Sequence, residues 1–206
     1  MNENPLPLIM MILLGGYFAR MWWVDFGAVR GGRLDPAHAL PGATQTSVRA
    51  CLIAAGGTCV LLAAETLGEV ALGISDEQSK MTGLFAAYTL VAAVVEELIF
   101  RGYLGNWIAK RAKAALLGWA LVASLVFALL HPFLWKWEAG RLTLTLTAKG
   151  WFSFGAVFAV SLWFYACRFA SWNPTCSLLP CFAAHLAKNL GVIAIKGAQG
   201  FLAGWW

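Results

Sequence analysis

Six apolar runs of near-membrane length punctuate this chain, and no other feature narrows its fold as much. Each approaches the roughly 20 residues that a helix needs to cross a bilayer. In hydrocarbon every backbone N–H and C=O must be satisfied within the protein, which leaves helices or a closed barrel. Runs this long and this uninterrupted favour helices. The chain is therefore predicted to be all-α: a polytopic membrane helix bundle of about six transmembrane helices with a polar site inside the bilayer. Composition agrees. Of 206 residues 60% are hydrophobic and only 12% charged, and the mean hydropathy is +0.70, values outside the range of soluble domains.

The predicted segments run from about Pro5 to Val24, Ser47 to Leu67, Met81 through Trp107, Ala114 to Trp135, Gly150 to Cys167 and Pro174 to Ile195. The leading Met1-Asn2-Glu3-Asn4 carries no basic residue, so the first run reads as a retained helix and not as a cleaved signal. The alternation Leu142-Thr143-Leu144-Thr145-Leu146-Thr147 reads as a small hairpin or an interfacial segment. No repeat, low-complexity tail or soluble domain is evident. Residues 1–206 are read as one membrane domain, with 1–80 a variable N-terminal pair of helices and 81–196 the core. The net charge of +5 is scattered over short connections, which suits an orientation signal and not nucleic-acid binding. Five cysteines without a C-x-x-C pair read as ordinary helix residues, and the eleven tryptophans, Trp22, Trp23, Trp107 and Trp151 among them, read as interfacial anchors.

The third run carries the chemistry. Fifteen uncharged residues, Met81 to Val95, lead directly into Glu96-Glu97, with Arg101 four residues beyond Glu97. Ionisable groups in such a run face the protein interior or a water-filled cavity. Glu97 and Arg101 share a helix face and can pair. Glu96 lies about 100° away round the helix and needs partners from elsewhere. Counting outward from the basic turn Lys110-Arg111-Ala112-Lys113, Glu96 is 17 residues before Lys113 and His131 is 18 after it. Antiparallel helices about that turn put the two at one depth. His185 and Asn189, four apart, add an imidazole and an amide from the last run. Pro132 and Pro180 are expected to disturb the helices that hold these histidines.

A carboxylate in such surroundings becomes a competent base near neutral pH. An imidazole can hold the water, and a second imidazole with an amide N–H can stabilise an oxyanion. Two histidines and a glutamate are equally a sound zinc set, and ligand type alone leaves both readings open.

Taken in order, Glu96-Glu97-x-x-x-Arg101, Phe127-x-x-x-His131 and His185-x-x-x-Asn189 resemble the CPBP family of intramembrane endopeptidases. That family includes the CAAX prenyl proteases and the bacteriocin-processing and immunity proteins. The resemblance covers about Met81 to Ile195. It implies an intramembrane protease that hydrolyses a peptide bond of a membrane-associated substrate with glutamate-activated water. It implies Glu96 as general base, His131 as its water-positioning partner, and His185 and Asn189 as the oxyanion-side wall. Glu97 and Arg101 become a structural or substrate-orienting pair, with Phe127 packed against the site. No cofactor follows from this; zinc on Glu96, His131 and His185 is the alternative.

The partners implied are a membrane-anchored protein or peptide, prenylated or carrying a tail or leader, and the lipid bilayer, with no nucleic acid. The expected location is a bacterial inner (plasma) membrane. Two other readings stand beside the enzyme: a silent binding or immunity protein of the same fold, and a small proton-coupled transporter. Because Glu96 is about 25 Å along the helix from Lys113, the site is expected to lean toward the outer face.

Overall fold

The computed structural model describes residues 5–111, 115–138, 140–144 and 147–205. The predicted turn about Lys113 lies outside them. The elements in order are α1 (Pro5–Arg30), α2 (Val48–Ala71), α3 (Gly83–Glu97), a π-helical stretch (Leu98–Leu104), α4 (Gly105–Arg111), α5 (Leu116–Leu129), β1 (Trp135–Glu138), β2 (Arg141–Leu144), α6 (Ala148–Phe169) and α7 (Leu179–Ala198). Four stretches are long and apolar enough to cross a membrane: Pro5–Arg30, Val48–Ala71, Gly83–Ala109 and Ala148–Phe169. The all-α bundle expected from the sequence is what forms, and two of its six expected segments fall outside those four. α5 is apolar but only 14 residues long. α7 reaches 20 residues but carries His185, Lys188, Asn189 and Lys196.

Local sequence explains the ends. α1 continues past Arg20 and Val24 until Gly31-Gly32, where Gly32 takes a φ of +68° that disfavours other residues. Ser47, Thr82 and Thr147 cap α2, α3 and α6, each accepting a bond from a backbone N–H three residues on. Pro132 ends α5 early and starts a 3₁₀ turn. Pro180 does not disturb α7, contrary to expectation. It sits in the first turn, where no backbone N–H is needed. The predicted alternation is part of a hairpin whose first strand is Trp135–Glu138, paired antiparallel with Arg141–Leu144; Thr145 and Leu146 lie outside the described residues.

α7 is the central element. α2 packs along it on one side and α3 on another, while α1 covers α3 and α5 covers α6. The outward faces of α1, α2 and α5 expose Leu13, Tyr17, Leu52, Val60, Leu117 and Val122, as lipid contact requires. Close approach of α2 to α6 depends on Gly57, whose missing Cβ leaves room for the Trp163 ring. Trp163 also donates its indole N–H to Ala54 O at 3.0 Å. Trp22, read as an interfacial anchor, is instead core. It is 2% exposed, donates to Pro41 O at 3.1 Å and meets Phe182 edge-on at 4.9 Å.

The bundle has two unlike ends. At one, the α1–α2 loop is stitched to the α6–α7 loop. Ser177 Oγ donates to Thr44 O at 2.6 Å, Thr175 Oγ1 to Gln45 O at 2.6 Å, and buried Asn173 binds Cys167 O and Ser177 O. At the other, the segment after α7 runs beside the entrance to α3, with Met81 N donating to Phe201 O and Ala203 N to Met81 O.

Candidate active site

The site forms where α3, the π stretch, α5, α6 and α7 meet. Glu97 and Arg101 are both fully buried, and Arg101 donates to Glu97 Oε1 at 3.1 Å. His185 of α7 donates its Nδ1–H to that same oxygen at 2.9 Å. A carboxylate oxygen only accepts, so this bond places a proton on Nδ1. Nε2 points at the second glutamate, 3.7 Å from Glu96 Oε2. The two adjacent acids thus differ sharply. Glu97 is sealed, whereas the Glu96 side chain is 35% exposed. The imidazole beside Glu96 is His185.

Arg101 is held through its two terminal nitrogens, while its buried Nε has no hydrogen-bond partner among the described residues. Its Nη2 donates to Ser161 O at 2.9 Å and to Ser161 Oγ, and Ser161 Oγ in turn donates to Ser124 Oγ at 3.0 Å. The guanidinium lies 4.7 Å from the Phe127 ring, 4.9 Å from Tyr165 and 5.2 Å from Phe164. Four aromatic faces, Phe100 included, substitute for water around this cation. The π winding makes this possible. Two carbonyls of the stretch accept α6 side chains, Phe100 O in addition to the Gly105 N–H. Tyr165 Oη donates to Phe100 O at 2.9 Å, and Arg168 Nε to Arg101 O at 3.3 Å.

His131 follows α5 by two residues. Its Nδ1–H donates to Phe127 O at 2.8 Å. Its ring meets Phe127 edge-on at 4.8 Å, and the Phe127 ring lies 6.3 Å from His185. Phe127 therefore stands between the two imidazoles. Phe100 and Phe127 touch at 5.0 Å, so one turn lower on each helix puts the glutamates and His131 at a common depth. Common depth is not contact. Among the described residues no bond joins His131 to Glu96. Asn189 donates to Thr89 O at 2.8 Å, tying α7 to α3, so one of its two N–H groups is unavailable to an oxyanion.

Among the described residues no group of three His, Cys, Asp or Glu is arranged to hold an ion. Glu96, His131 and His185 have suitable donor chemistry but do not form such a group there.

The family described as Type II CAAX prenyl endopeptidase Rce1-like matches residues 78–191, more than half of the chain. The chain belongs to that family. It is an integral membrane protein of the CAAX-endopeptidase type, acting on membrane-associated substrates. Comparison with curated proteins and with solved structures returns no match. The matched stretch contains Glu96, Glu97, Arg101, Phe127, His131, His185 and Asn189, while α1 and α2 fall before it.

Sequence reasoning leaves one residue at the site unassigned. Lys188, three residues beyond His185, is 8% exposed and paired with Glu65 of α2. Its partner is 123 residues away in the chain, so no local pattern announces the pair. The depth expectation also changes. His185 is the seventh residue of α7, about 9 Å below the start of that helix at 1.5 Å per residue. Glu97 ends α3, about 21 Å from Gly83 at the same rise. The site is therefore nearer the end closed by the two stitched loops. Counting to Lys113 overstates the distance, because the helix begun by α3 runs on past the level of those loops. Gly102 already abuts Pro41 and Leu178.

Proposed function

We propose that the chain is a glutamate-type intramembrane endopeptidase in which Glu96 activates water against a peptide bond of a membrane-associated substrate. The observation that carries this reading is His185, bonded to Glu97 through Nδ1 and turned toward Glu96 through Nε2. Water beside both groups gives one hydrogen bond to the Glu96 carboxylate and, with His185 neutral, one to its Nε2. As its oxygen attacks the carbonyl carbon, Glu96 takes the proton; when the C–N bond breaks, Glu96 returns it to the leaving amine. Glu97 keeps His185 in one tautomer and orientation, as a carboxylate does for histidine in hydrolytic triads. Arg101 compensates the buried charge of Glu97. His131 Nε2 supplies a further acceptor on the opposite side of the cleft.

The substrate entry side follows from charge. Arg30, Arg33 and Arg49 lie in or beside the α1–α2 loop at the stitched-loop end. Basic loops favour the cytoplasmic side. The site lies nearer that end, which suits a cytoplasm-facing substrate with a prenylated cysteine near its C-terminus better than an exported one.

The test is cleavage of S-farnesyl and unprenylated membrane-anchored peptides by purified protein in detergent, for wild type and Glu96→Gln, each with and without a zinc chelator. Cleavage lost in the variant and indifferent to chelator is the expected result. Undiminished cleavage by Glu96→Gln sinks the assignment of the base, and loss to chelator moves the reaction onto a metal.

A further inference from the structure

Arg168, in the last turn of α6, is 2% exposed, yet among the described residues it joins no salt bridge. Dipoles meet its charge instead. Its Nε donates to Arg101 O at 3.3 Å and its Nη2 to Asn106 Oδ1 at 2.8 Å. Its place in the last turn also sets it at the negative end of α6. Among the described residues Nη1 has no hydrogen-bond partner, and it lies against Gly42, where a Cβ would come within 2.5 Å of it. The α1–α2 loop thus closes over the guanidinium and leaves it one orientation. Burying a cation without an acid is costly, and an apolar side chain would fill the space without that cost.

What the guanidinium holds is the winding on which the site depends. Tyr165, three residues earlier on α6, donates to Phe100 O at 2.9 Å. Two α6 side chains therefore take consecutive carbonyls, Phe100 and Arg101, in the middle of Leu98–Leu104. Asn106 lies beyond that stretch, in α4. The donors of a guanidinium form a rigid fork, so Arg168 fixes where regular helix resumes relative to Arg101. The peptide it grips is that of Arg101, whose Nη1 donates to Glu97 Oε1, the oxygen that His185 Nδ1–H also uses. A line of contact runs from α6 through Arg101 and Glu97 to the imidazole that faces Glu96. Among the described residues Arg168 bonds to neither glutamate and not to His185.

We propose that Arg168 is a positioning residue for hydrolysis: by fixing the winding at Arg101 it holds the Glu97–His185 pair at the angle from which His185 Nε2 faces Glu96. The proposal rests on the endopeptidase reading above. It accounts for an arginine at this place, since lysine is a point charge and does not reproduce a fork that reaches Arg101 O and Asn106 together. It also accounts for the missing acid. A carboxylate beside Arg168 would be a second anion near Arg101, whereas neutral acceptors leave Glu97 as the acid that Arg101 meets.

The test pairs cleavage kinetics on the S-farnesyl peptide with the proton spectrum of protein carrying isotope-labelled histidine in detergent. The His185 Nδ1–H signal is assigned by its loss in His185→Gln. Arg168→Lys keeps the charge and removes the fork. It is expected to lower kcat about 10–100-fold while KM changes less than about twofold, and to move the His185 signal at a melting temperature near that of wild type. Asn106→Leu, which frees the other end of the fork, is expected to reproduce both changes and to add little when combined with Arg168→Lys. Should Arg168→Lys fail to fold, Asn106→Leu carries the same readouts. Unchanged kcat, a loss carried by KM, or a His185 signal that stays in place while turnover falls with the melting temperature overturns the proposal. If wild type cleaves neither the farnesylated nor the unprenylated peptide, the endopeptidase reading fails. The His185 signal is then the readout: moved in Arg168→Lys, it upholds the positioning of that ring, and unmoved, it overturns it.

Discussion

The two walls of the cleft are built from different materials. On the α3–α7 wall, directed polar bonds fix each group: Arg101 and His185 to Glu97, Asn189 to Thr89, Lys188 to Glu65. On the α5 wall, Phe127 and His131 meet the rest of the site through ring faces and edges. Hydrogen bonds in low dielectric are strong and direction-sensitive, whereas aromatic contacts tolerate sliding. The wall with the base is thus preorganised, and the opposite wall is the one able to yield to a peptide.

Breaking the polar wall has the largest expected effect. Arg101→Leu strands Glu97 in the interior, at a cost of about 3–5 kcal/mol, read as a collapse of the detergent melting temperature. Adding Glu97→Leu to it, which removes both charges, is expected to recover much of that loss. Next comes the separation of chemistry from scaffold. Glu96→Gln is expected to lower turnover by about 10²–10⁴-fold with an unchanged melting temperature, because the Glu96 side chain is 35% exposed and its nearest charged neighbour, His185, is 3.7 Å away. A melting temperature that falls with activity would place Glu96 in the scaffold beside Glu97. On the aromatic wall, Phe127→Leu removes one face from Arg101 and is expected to cost about 1–2 kcal/mol. It should raise KM more than it lowers kcat if that wall adapts to substrate. The smallest effect is Asn189→Leu, the loss of one interhelical bond worth about 0.6 kcal/mol. A large loss of turnover in that variant at unchanged stability would move Asn189 from the scaffold to the chemistry.

Much of this is legible in the sequence alone, and the failures share a cause. Apolar runs announce helices because spanning length and backbone satisfaction are local requirements. The contact of Glu97 with Arg101 is likewise local, four residues along one helix. The partner of Glu96 is not. Counting residues about the Lys113 turn gives height and says nothing of azimuth, so it puts His131 and Glu96 at one depth but cannot choose between His131 and His185 as the nearer ring. The winding at Leu98–Leu104 departs from 3.6 residues per turn, which no propensity reveals. Lys188 and Glu65 lie on helices far apart in the chain. Trp22 reads as an anchor for the same reason, because its interior partners Pro41 and Phe182 are equally hidden from any local pattern.

The wide turn at Leu98–Leu104 also acts as a phase setting. An α-helix advances 100° with each residue. One residue added or removed within this stretch rotates everything beyond it while leaving the glutamates before it where they are. Arg101, inside the stretch, would lose either its acid or its aromatic enclosure. The count of residues there is therefore as much a part of the active site as the side chains. Point substitution can explore the chemistry on either side, but a change in length cannot be absorbed.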